Sequence, residues 1–466
     1  MILPDSFSNY TSSLMGEQLY SCFLQGLQTI PPVSVRMNRS KCDDVPEGGI
    51  LVPWCDCGYY LGERPAFTFD PLLHAGYYYV QEASSMFVHH VLRQYVDKPV
   101  RMLDMCAAPG GKSTAALGAL PAGSTLMSNE PVRARAQILA ENIQKWGNPN
   151  VIVTNNYPKD YARSRLLFDV ILCDVPCSGE GMFRKDEGAI SEWSVQNVEN
   201  CRQLQREIVE EAWQCLEPGG LLIYSTCTFN AKENEENVAW ICENLGAEAL
   251  PVDIKAEWGI RESLVKDINL PVCRFIPGCT EGEGLFMAVL RKTSDEYRRG
   301  AKHGKLKPLK ADSSISKCLL NPGDFVFYAH GNDVIAAPKC INSQYDTAAQ
   351  SLRIIHAGIK MGTVKGKDFI PDQSLALSTA LNRNAFALAE LDYGQAINYL
   401  RRDAISLPQE TARGFVLLTY KDAPLGFVKN IGNRVNNMYP QEWRIRTMPN
   451  AMQGKENQRE SNNVVN

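Results

Sequence analysis

The sequence contains no long apolar run and no amino-terminal signal segment. None of its hydrophobic stretches approaches the roughly 20 residues that a membrane-spanning helix requires. The start, MILPDSFSNYTSS, lacks the basic and apolar parts of a signal peptide. With 44% hydrophobic and 21% charged residues, the composition is that of ordinary soluble proteins. We therefore expect a cytoplasmic protein that does not interact with membranes.

Paired CxxC spacing is also absent, although the chain has 15 cysteines. An odd number of scattered cysteines predicts neither a disulfide framework nor a zinc knuckle. Cys55 and Cys57 are too close in sequence for the usual spacing of metal ligands, so we interpret them as two loop thiols. The sequence predicts no metal site.

Strong charge of one sign is lacking overall. The formal net charge of −4 does not by itself indicate a nucleic-acid-binding protein. The charge is unevenly distributed, however, because residues 291–310 contain eight Lys and Arg against two acids. At 466 residues the chain is too long for one hydrophobic core, since domains average about 150 residues. We expect a multidomain protein with a basic connecting segment.

Residues 98–292 alternate between β-rich apolar runs and helical stretches, which is typical of a parallel sheet covered on both faces. Strands are predicted at PVRMLDM, STLMSN, NVIVTN, FDVILCD, GLLIYST and GLFMAVL. Helices are predicted near 111–120, 132–146, 199–216 and 232–245. This pattern predicts one α/β domain.

Further segments are expected on both sides of the α/β domain. They are an N-terminal domain over 1–97, a basic linker over 293–319, a small mixed α/β domain over 320–405, a domain of short strands over 406–449 and a polar, disordered tail over 450–466.

The stretch DMCAAPGGKST leaves the first predicted strand and enters a helix near Gly111. A strand, a glycine turn and a helix start form an anion or nucleotide site in open α/β sheets. A triphosphate-binding loop is disfavoured because Cys106 stands where its first glycine must be, and the dinucleotide pattern GxGxxG is absent. S-adenosylmethionine fits, with Glu130 as the ribose-binding acid after the next strand. For the loop alone, a glycine turn without any ligand is the alternative.

Two cysteines, Cys177 and Cys227, stand at the ends of two predicted strands. Ligands in open sheets bind outside the carboxyl ends of strands, so both thiols should face one crevice together with Asp104 and Asp174. Buried cysteines are more often inert, which is our interpretation of Cys173 and Cys215.

A thiol beside a methyl donor suits methylation of a carbon that is not nucleophilic by itself, such as C5 of cytosine. A thiolate adds to C6, a carboxylic acid near N3 assists, and C5 then takes the methyl group. A base removes the C5 proton, and the thiol is expelled. One cysteine can act as the nucleophile while the other helps to release the product.

Three stretches, DMCAAPGGKST, DVPCSGEGMFRKD and YSTCTFNAKENE, resemble in order and spacing the RNA 5-methylcytosine methyltransferase family, which includes RsmF-type and NSUN-type enzymes. The resemblance extends to VQEASSM upstream and, more loosely, to GFVLLTYKDAPLGFVKNIGNRVNNMYPQEWRI near the C-terminus. It implies a class I, Rossmann-like S-adenosylmethionine-dependent methyltransferase sheet with an N-terminal α+β domain and a PUA-like RNA-binding domain. It also implies a monomer that methylates C5 of cytosine in 16S rRNA, within the small ribosomal subunit.

The resemblance further implies roles for individual residues. Cys227 of the TC pair is the nucleophile, Cys177 of the PC pair assists release, and Asp174 lies at the cytosine edge. The implied cofactor contacts are Cys106, Ala107, Ala108, Pro109, Gly110, Gly111, Lys112, Glu130, Asn155 and Asp174. Whether Lys112 instead serves the catalytic side of the pocket stays open.

The sequence departs from the family pattern at two places. Val175 stands where many members have alanine, which is a small change beside the site. Tyr157 occupies the position that aligns with a third acidic contact near the adenine. Asn155 is the proposed substitute for that contact.

RNA rather than DNA is favoured because DNA cytosine enzymes use the PC thiol as the nucleophile, whereas this chain has both pairs. The C-terminal aromatic and basic residues suit stacking on single-stranded or looped RNA, although each aromatic taken singly is better explained as core. These residues are Phe415, Tyr420, Lys421, Phe427, Lys429, Arg434, Tyr439, Trp443 and Arg444. The alternatives are a tRNA cytosine-5 methyltransferase and a non-catalytic RNA-binding factor for ribosome assembly.

Overall fold

The structure, a computed structural model, describes residues 1–294 and 305–447. The predicted tail at 450–466 and residues 295–304 of the predicted linker lie outside the described residues. The described residues form four β-sheets, of which the largest has nine strands. Among the helices of these residues, none combines the length and the hydrophobicity needed to cross a membrane.

The N-terminal part consists of an antiparallel sheet flanked by helices. Its elements are α1 (Asp5–Gln28), β1 (Val33–Met37), β2 (Ile50–Leu51), β3 (Gly58–Leu61), α2 (Pro71–His74), β4 (Tyr78–Val80) and α3 (Phe87–Tyr95). The strand order is β2-β3-β1-β4. Helix α3 packs against the first helix of the next domain, so the N-terminal part adjoins that domain.

The central domain contains all six strands and four helices predicted from the sequence pattern. Its elements are β5 (Arg101–Asp104), α4 (Gly111–Ala119), β6 (Thr125–Asn129), α5 (Arg133–Trp146), β7 (Val151–Thr154), α6 (Pro158–Ser164), β8 (Phe168–Asp174), α7 (Glu187–Glu192), α8 (Val195–Trp213), β9 (Leu216–Thr226), α9 (Glu235–Leu245), β10 (Ala247–Leu250), β11 (Cys273–Phe275) and β12 (Leu285–Lys292).

The large sheet is parallel at its centre. Strands β9, β8, β5, β6 and β7 pair in that order, and β12 is antiparallel to β9. Helices on both faces bury these strands, which is why their central residues form apolar runs instead of alternating with polar ones. Cys173 and Cys215 are fully buried in one of the two cores, as expected.

The next segment contributes to two sheets. Its elements are α10 (Ser313–Ser316), β13 (Phe325–His330), β14 (Asp333–Pro338), α11 (Asn342–Ser351), β15 (Ile354–Ala357), β16 (Ile359–Lys365), β17 (Asp368–Pro371) and α12 (Gln373–Leu377). Strand β15 pairs antiparallel with β7 and thereby becomes the edge strand of the large sheet. The predicted small mixed α/β domain over 320–405 is therefore partly continuous with the central domain.

The C-terminal sheet consists of β18 (Ala387–Glu390), β19 (Gly414–Tyr420), β20 (Ala423–Asn430) and β21 (Val435–Asn437), with α13 (Tyr393–Arg401) between the first two strands. Strand β18 is parallel to β19, so the boundary predicted at residue 406 cuts through one sheet. The prediction that the linker extends to residue 319 is wrong, because Ile315, Cys318 and Leu319 are buried in a hydrophobic core. Long-range pairing and burial of this kind leave no local signal in the sequence.

Candidate active site

The crevice of the large sheet opens where β5 has β6 on one side and β8 on the other. The chain direction of the crossovers reverses there, and ligands of open α/β sheets bind at such a switch point. Asp104 ends β5 and Asp174 ends β8. The loops that follow β5, β8 and β9 therefore meet at one edge, as the sequence predicted.

The loop after β5 is held in a fixed path by backbone hydrogen bonds. Met105 N donates to Leu172 O at 2.9 Å, and Ala107 N donates to Asn129 O at 2.8 Å. Gly110 has φ +113°, a left-handed conformation that disfavours any side chain, and α4 begins at the next residue. The backbone of this loop can thus approach a ligand closely.

The N-terminal sheet supports this loop through Arg36, which the sequence reasoning missed. Its guanidinium is fully buried and donates to Thr114 Oγ1 at 2.6 Å and to Gln81 Oε1 at 2.7 Å. It also lies 4.4 Å from the ring centre of Trp146. The first turn of α4 is therefore anchored to the preceding domain.

Asp104 is fully buried at the floor of the crevice. Its Oδ2 accepts a hydrogen bond from Ser113 at 2.6 Å, whereas Oδ1 has no hydrogen-bond partner among the described residues. Burial raises the pKa of the Asp104 carboxyl to about 7. A buried acceptor without a donor fits a ligand with an amino group, such as the methionine part of S-adenosylmethionine.

Glu130 follows β6 and is 2% exposed. Its Oε1 accepts from Val132 N at 2.9 Å, and its Oε2 lies 3.7 Å from Nη2 of Arg135. The position after the second strand of the switch point is the one that a ribose diol requires. The acids at Asp104 and Glu130, together with the glycine turn between them, fit S-adenosylmethionine.

The structure shows why Asn155 is not a simple replacement for an acid. Its amide nitrogen donates to Glu130 O at 2.8 Å and to Pro131 O at 2.9 Å. Asn155 therefore orients the loop that carries Glu130. Tyr157, the aligned position, is the N-cap residue that precedes α6 and has an exposed side chain.

Lys112 and Asp174 form an ion pair inside the crevice, with 2.8 Å between Nζ and Oδ2. The other oxygen of Asp174 accepts from Ser225 Oγ at 2.7 Å. Burial disfavours the charge on Lys112, but the attraction of Asp174 and of Cys227 outweighs it, so the pKa of Lys112 is raised. The pair offers one cationic donor and one anionic acceptor at the carboxyl end of β8.

The two thiols predicted to act together do lie together. Cys177 Sγ is 3.1 Å from Cys227 Sγ, and Cys227 N lies 3.4 Å from Cys177 Sγ. Both residues are half-buried. The hydrogen bond with Cys227, followed by burial, raises the pKa of Cys177 well above its ordinary value. This favours the protonated form of Cys177.

A buried carboxylate, Glu180, ties the two cysteine loops to each other. Its Oε2 accepts from Phe229 N at 2.7 Å and from Asn230 N at 3.0 Å. Its Oε1 accepts from Asn230 Nδ2 and from Trp193 Nε1, each at 3.0 Å. In addition, Gly181 N donates to the carbonyl oxygen of Cys227 at 2.7 Å.

Glu233, also fully buried, forms a second bridge between the loops. Its Oε2 accepts from Ser178 N at 3.0 Å and from Gln205 Nε2 at 2.6 Å, and its Oε1 accepts from Asn230 Nδ2 at 2.8 Å. Burial raises the pKa of Glu233. Glu180 lies in GEG and Glu233 lies in ENE, within the same sequence stretches that contain the two thiols. These glutamates could have been predicted as site residues from their nearness to the cysteines in sequence.

The C-terminal aromatic and basic residues divide into two groups. Phe427 and Tyr439 are buried in cores, as expected for single aromatics of a small β domain. Lys421, Arg434 and Arg444 are exposed. The remaining members are half-buried, and the ammonium groups of two lysines lie over aromatic rings, Lys429 over Phe415 at 5.2 Å and Lys421 over Tyr420 at 5.6 Å.

Three parts of the chain match known protein families. Residues 94–291 match the family described as 16S rRNA methyltransferase RsmB/F. Residues 3–83 match the N-terminal domain of 16S rRNA methyltransferase RsmF, and residues 386–445 match the methyltransferase RsmF PUA domain.

The similarity extends over most of the chain. This chain is 31% identical over 473 residues to ribosomal RNA small subunit methyltransferase F of Escherichia coli O139:H28, and the match covers 94% of this chain and 96% of the relative. It is also 32% identical over 412 residues to the protein of the same name from Aliivibrio fischeri, and that match covers 84% of this chain and 85% of the relative. Among solved structures, a methyltransferase homologue from Pyrococcus horikoshii is 27% identical, with a TM-score of 0.53, covering 62% of this chain and 95% of that one.

Proposed function

We infer that this chain, which belongs to the ribosomal RNA small subunit methyltransferase F family, methylates C5 of cytosine in small-subunit ribosomal RNA. The family confirms the enzyme class and the methyltransferase fold that the sequence predicted. It also confirms the predicted cofactor, S-adenosylmethionine, which supplies the methyl group. The observation that carries the mechanism is the 3.1 Å separation between the sulfur atoms of Cys177 and Cys227 beside the Lys112–Asp174 pair.

Cys227 is the nucleophile in this proposal. Its thiolate forms a bond to C6 of the cytosine, which increases the electron density at C5 and allows C5 to take the methyl group. Loss of the C5 proton to a base then breaks the bond between C6 and sulfur and returns the thiolate. The assignment is supported by the raised pKa of Cys177, which disfavours Cys177 as the nucleophilic thiolate.

Cys177 assists the release of the product. As a protonated thiol 3.1 Å from Cys227, it can donate a hydrogen bond to the sulfur that leaves C6. Lys112 and Asp174 act together at the polar edge of the cytosine. The carboxylate can accept from the 4-amino group while the ammonium donates towards N3, so we assign Lys112 to the catalytic side of the crevice.

The cofactor is held by the residues that lead from β5 to β6. The unpartnered oxygen of Asp104 would hold its amino group, the loop from Cys106 to Gly111 would hold its methionine part, and Glu130 would hold its ribose hydroxyls. Asn155 contributes by positioning Glu130, because its amide is already bonded to the carbonyl oxygens of that loop. These contacts are those expected for a ligand at the switch point.

In this proposal the N- and C-terminal domains bind the RNA. The exposed residues Lys421, Arg434 and Arg444 supply charge for phosphates, and the PUA match at 386–445 supports an RNA-binding role. We propose that the monomer acts in the cytoplasm on rRNA within the assembled small subunit.

Bisulfite sequencing of 16S rRNA tests the function. A deletion strain should lack at least one protected cytosine that the wild-type gene restores and the Cys227→Ser gene does not. Comparing tRNA from the same cells separates the rRNA enzyme from a tRNA enzyme. If complementation restored no protected cytosine in either RNA, a non-catalytic role in ribosome assembly would replace the proposal.

A further inference from the structure

Outside the active site, a second group of thiols lies beside a histidine in the N-terminal part. Cys55 and Cys57 occupy the turn between β2 and β3, and His89 lies on α3. All three side chains are buried, and their possible ligand atoms lie within 4.8 Å of one another. This cluster takes no part in the chemistry proposed above.

We propose that Cys55, Cys57 and His89 bind a zinc ion that fastens the N-terminal sheet to α3, the helix that packs against α4 of the catalytic domain. Two thiolates and one imidazole are a usual donor set for zinc, with a fourth position left for an oxygen ligand. The proposal replaces the sequence-based interpretation of these cysteines as two loop thiols.

The distance between the two sulfur atoms fits one shared zinc ion. Their separation is 3.7 Å. In a tetrahedral site with Zn–S bonds of about 2.3 Å, two sulfur ligands lie about 3.8 Å apart. The turn itself sets this distance, since Cys55 N donates to Val52 O at 3.0 Å and Gly58 N donates to Cys55 O at 2.9 Å. A close CxC spacing can therefore place both sulfurs on one metal.

His89 supplies the second, independent observation. It is 3% exposed, and its Nδ1 has no hydrogen-bond partner among the described residues, whereas its Nε2 faces Asp56. A buried imidazole nitrogen without a partner is costly unless something binds it. Asp56 lies between the two cysteines in sequence, and its Oδ1 is 3.0 Å from His89 Nε2. That carboxylate can become the fourth ligand or orient the imidazole.

An entry path exists beside the cluster. A cavity of about 410 Å³ is lined by Asp56, Cys57 and His89, and also by Arg36 and Arg93. These arginines disfavour a free cation, so the site requires both thiols in their deprotonated form, which a bound zinc ion enforces. Two thiolates then balance the ionic charge.

The position of the cluster explains what the ion would do. Helix α3 carries His89 and packs against α4, the helix that follows the cofactor loop. The turn with the two cysteines belongs to the sheet that carries Arg36 on β1. A zinc ion would thus hold together the two elements that support the start of α4.

Cobalt(II) titration of the purified, chelator-treated full-length chain tests the proposal. We expect about one tetrahedral cobalt ion per chain with a thiolate charge-transfer band, and zinc should displace it. Cys57→Ser and His89→Gln should each weaken cobalt binding by more than about 100-fold. Replacing a residue that only hydrogen-bonds to a metal ligand typically weakens metal binding by about 10- to 100-fold, so a larger loss marks a direct ligand. Circular dichroism of each variant checks the fold.

Two control variants make the test specific. The sulfur atoms of Cys22 and Cys279 are 3.6 Å apart, but among the described residues no third possible metal ligand lies close to both. The Cys22→Ser/Cys279→Ser variant should therefore bind cobalt like the wild type. The Cys177→Ala/Cys227→Ser variant should do so too. If cobalt binding were lost there and kept in Cys57→Ser, or if the reduced wild-type chain bound no cobalt, the proposal would be overturned.

Discussion

The sulfur atoms of Cys177 and Cys227 lie 3.1 Å apart, although 50 positions separate the two residues in the chain. Strands β8 and β9 pair in parallel, and each thiol follows the end of its strand. Buried Glu180 and Glu233 then bind the two loops to each other through backbone and side-chain donors. The relative position of the two thiols is therefore a property of the whole network.

The two thiols should fail in different ways when replaced. Cys227→Ser should abolish methyl transfer without forming any covalent product, because a hydroxyl supplies almost no anion at neutral pH. Cys177→Ala should still permit addition and methyl transfer but slow the release step. A denaturing gel with labelled rRNA should show a slow-migrating adduct for Cys177→Ala.

The double variant provides the control for this gel. Adduct formation should disappear in Cys177→Ala/Cys227→Ser, since the bond to C6 comes from Cys227. An adduct that formed with Cys227→Ser and required Cys177 would reverse the two roles.

Glu180→Gln should impair positioning of the thiols. The amide nitrogen of glutamine cannot accept hydrogen bonds, so part of the donor set of Glu180 becomes unsatisfied. We expect a loss of about 2–4 kcal/mol in the free energy of unfolding and at least a roughly tenfold lower kcat. Denaturant unfolding and methyl-transfer assays measure both quantities.

Measuring the affinity for S-adenosylmethionine distinguishes a loss of thiol positioning from a general loss of the folded structure. It should stay near the wild-type value in Glu180→Gln, because Glu180 lies on the thiol loops and not on the cofactor loop. The exposed Glu192→Gln serves as the matched control and should change neither stability nor kcat. Equal loss of cofactor affinity and kcat would contradict the assignment.

Glu130→Gln should weaken S-adenosylmethionine binding by at least about tenfold, since a hydrogen bond to a charged group contributes about 1.5–3 kcal/mol. Isothermal titration calorimetry measures the affinity. Exposed Glu248→Gln, on the edge strand β10, is the comparison and should bind normally. Unchanged affinity in Glu130→Gln would remove this residue from the cofactor site.

Asp104 should make the stability of the ligand-free protein depend on pH. Its pKa is raised from 3.8 to about 7, so the neutral form is favoured by folding. This contribution is fully present below pH 3.8 and is lost as the pH rises to about 7. Relative to Asp104→Asn, the wild type should therefore lose up to about 4 kcal/mol of unfolding free energy across that range.

Urea unfolding of both proteins at several pH values measures this difference. The Asn variant should also bind S-adenosylmethionine less tightly, because the unpartnered oxygen would no longer carry charge. A pH-independent difference between the two proteins would contradict the raised pKa.

Lys421, Arg434 and Arg444 should contribute to RNA affinity through phosphates. Replacing all three by glutamine should weaken rRNA binding and reduce the slope of log K against log salt by about 2–3. The triple variant with Gln at the exposed positions Lys98, Lys255 and Lys266 is the charge-matched control. Equal slopes for the two variants would place the RNA contacts elsewhere.

Point substitutions are needed for this test because truncation would damage the catalytic domain. A chain that ended near residue 295 would lose β15, the partner of β7, and the core residues Tyr328 and Tyr345. Loss of RNA binding by such a chain would not distinguish an RNA contact from a broken sheet.

The sequence by itself determined six strands and four helices of the catalytic domain and the chemistry of its site. Strands such as Phe168–Asp174 have an apolar run at their centre because helices cover both faces, and that requirement is readable from composition over a few residues. The cofactor loop and the two thiols were predictable because the residues that define each motif are neighbours in the sequence. The crevice followed from the rule that parallel strands present their carboxyl ends at one edge.

The tertiary structure alone decided which distant groups satisfy each other. Arg36 anchors the first turn of α4, Glu180 joins the loops of Cys177 and Cys227, and β15 completes the edge of the large sheet. Each of these contacts exists because a buried polar group or a strand edge must find a partner, and the partner's position depends on how the whole chain packs. The same packing brings His89 to the Cys55–Cys57 turn, a meeting that no local spacing in the sequence predicts.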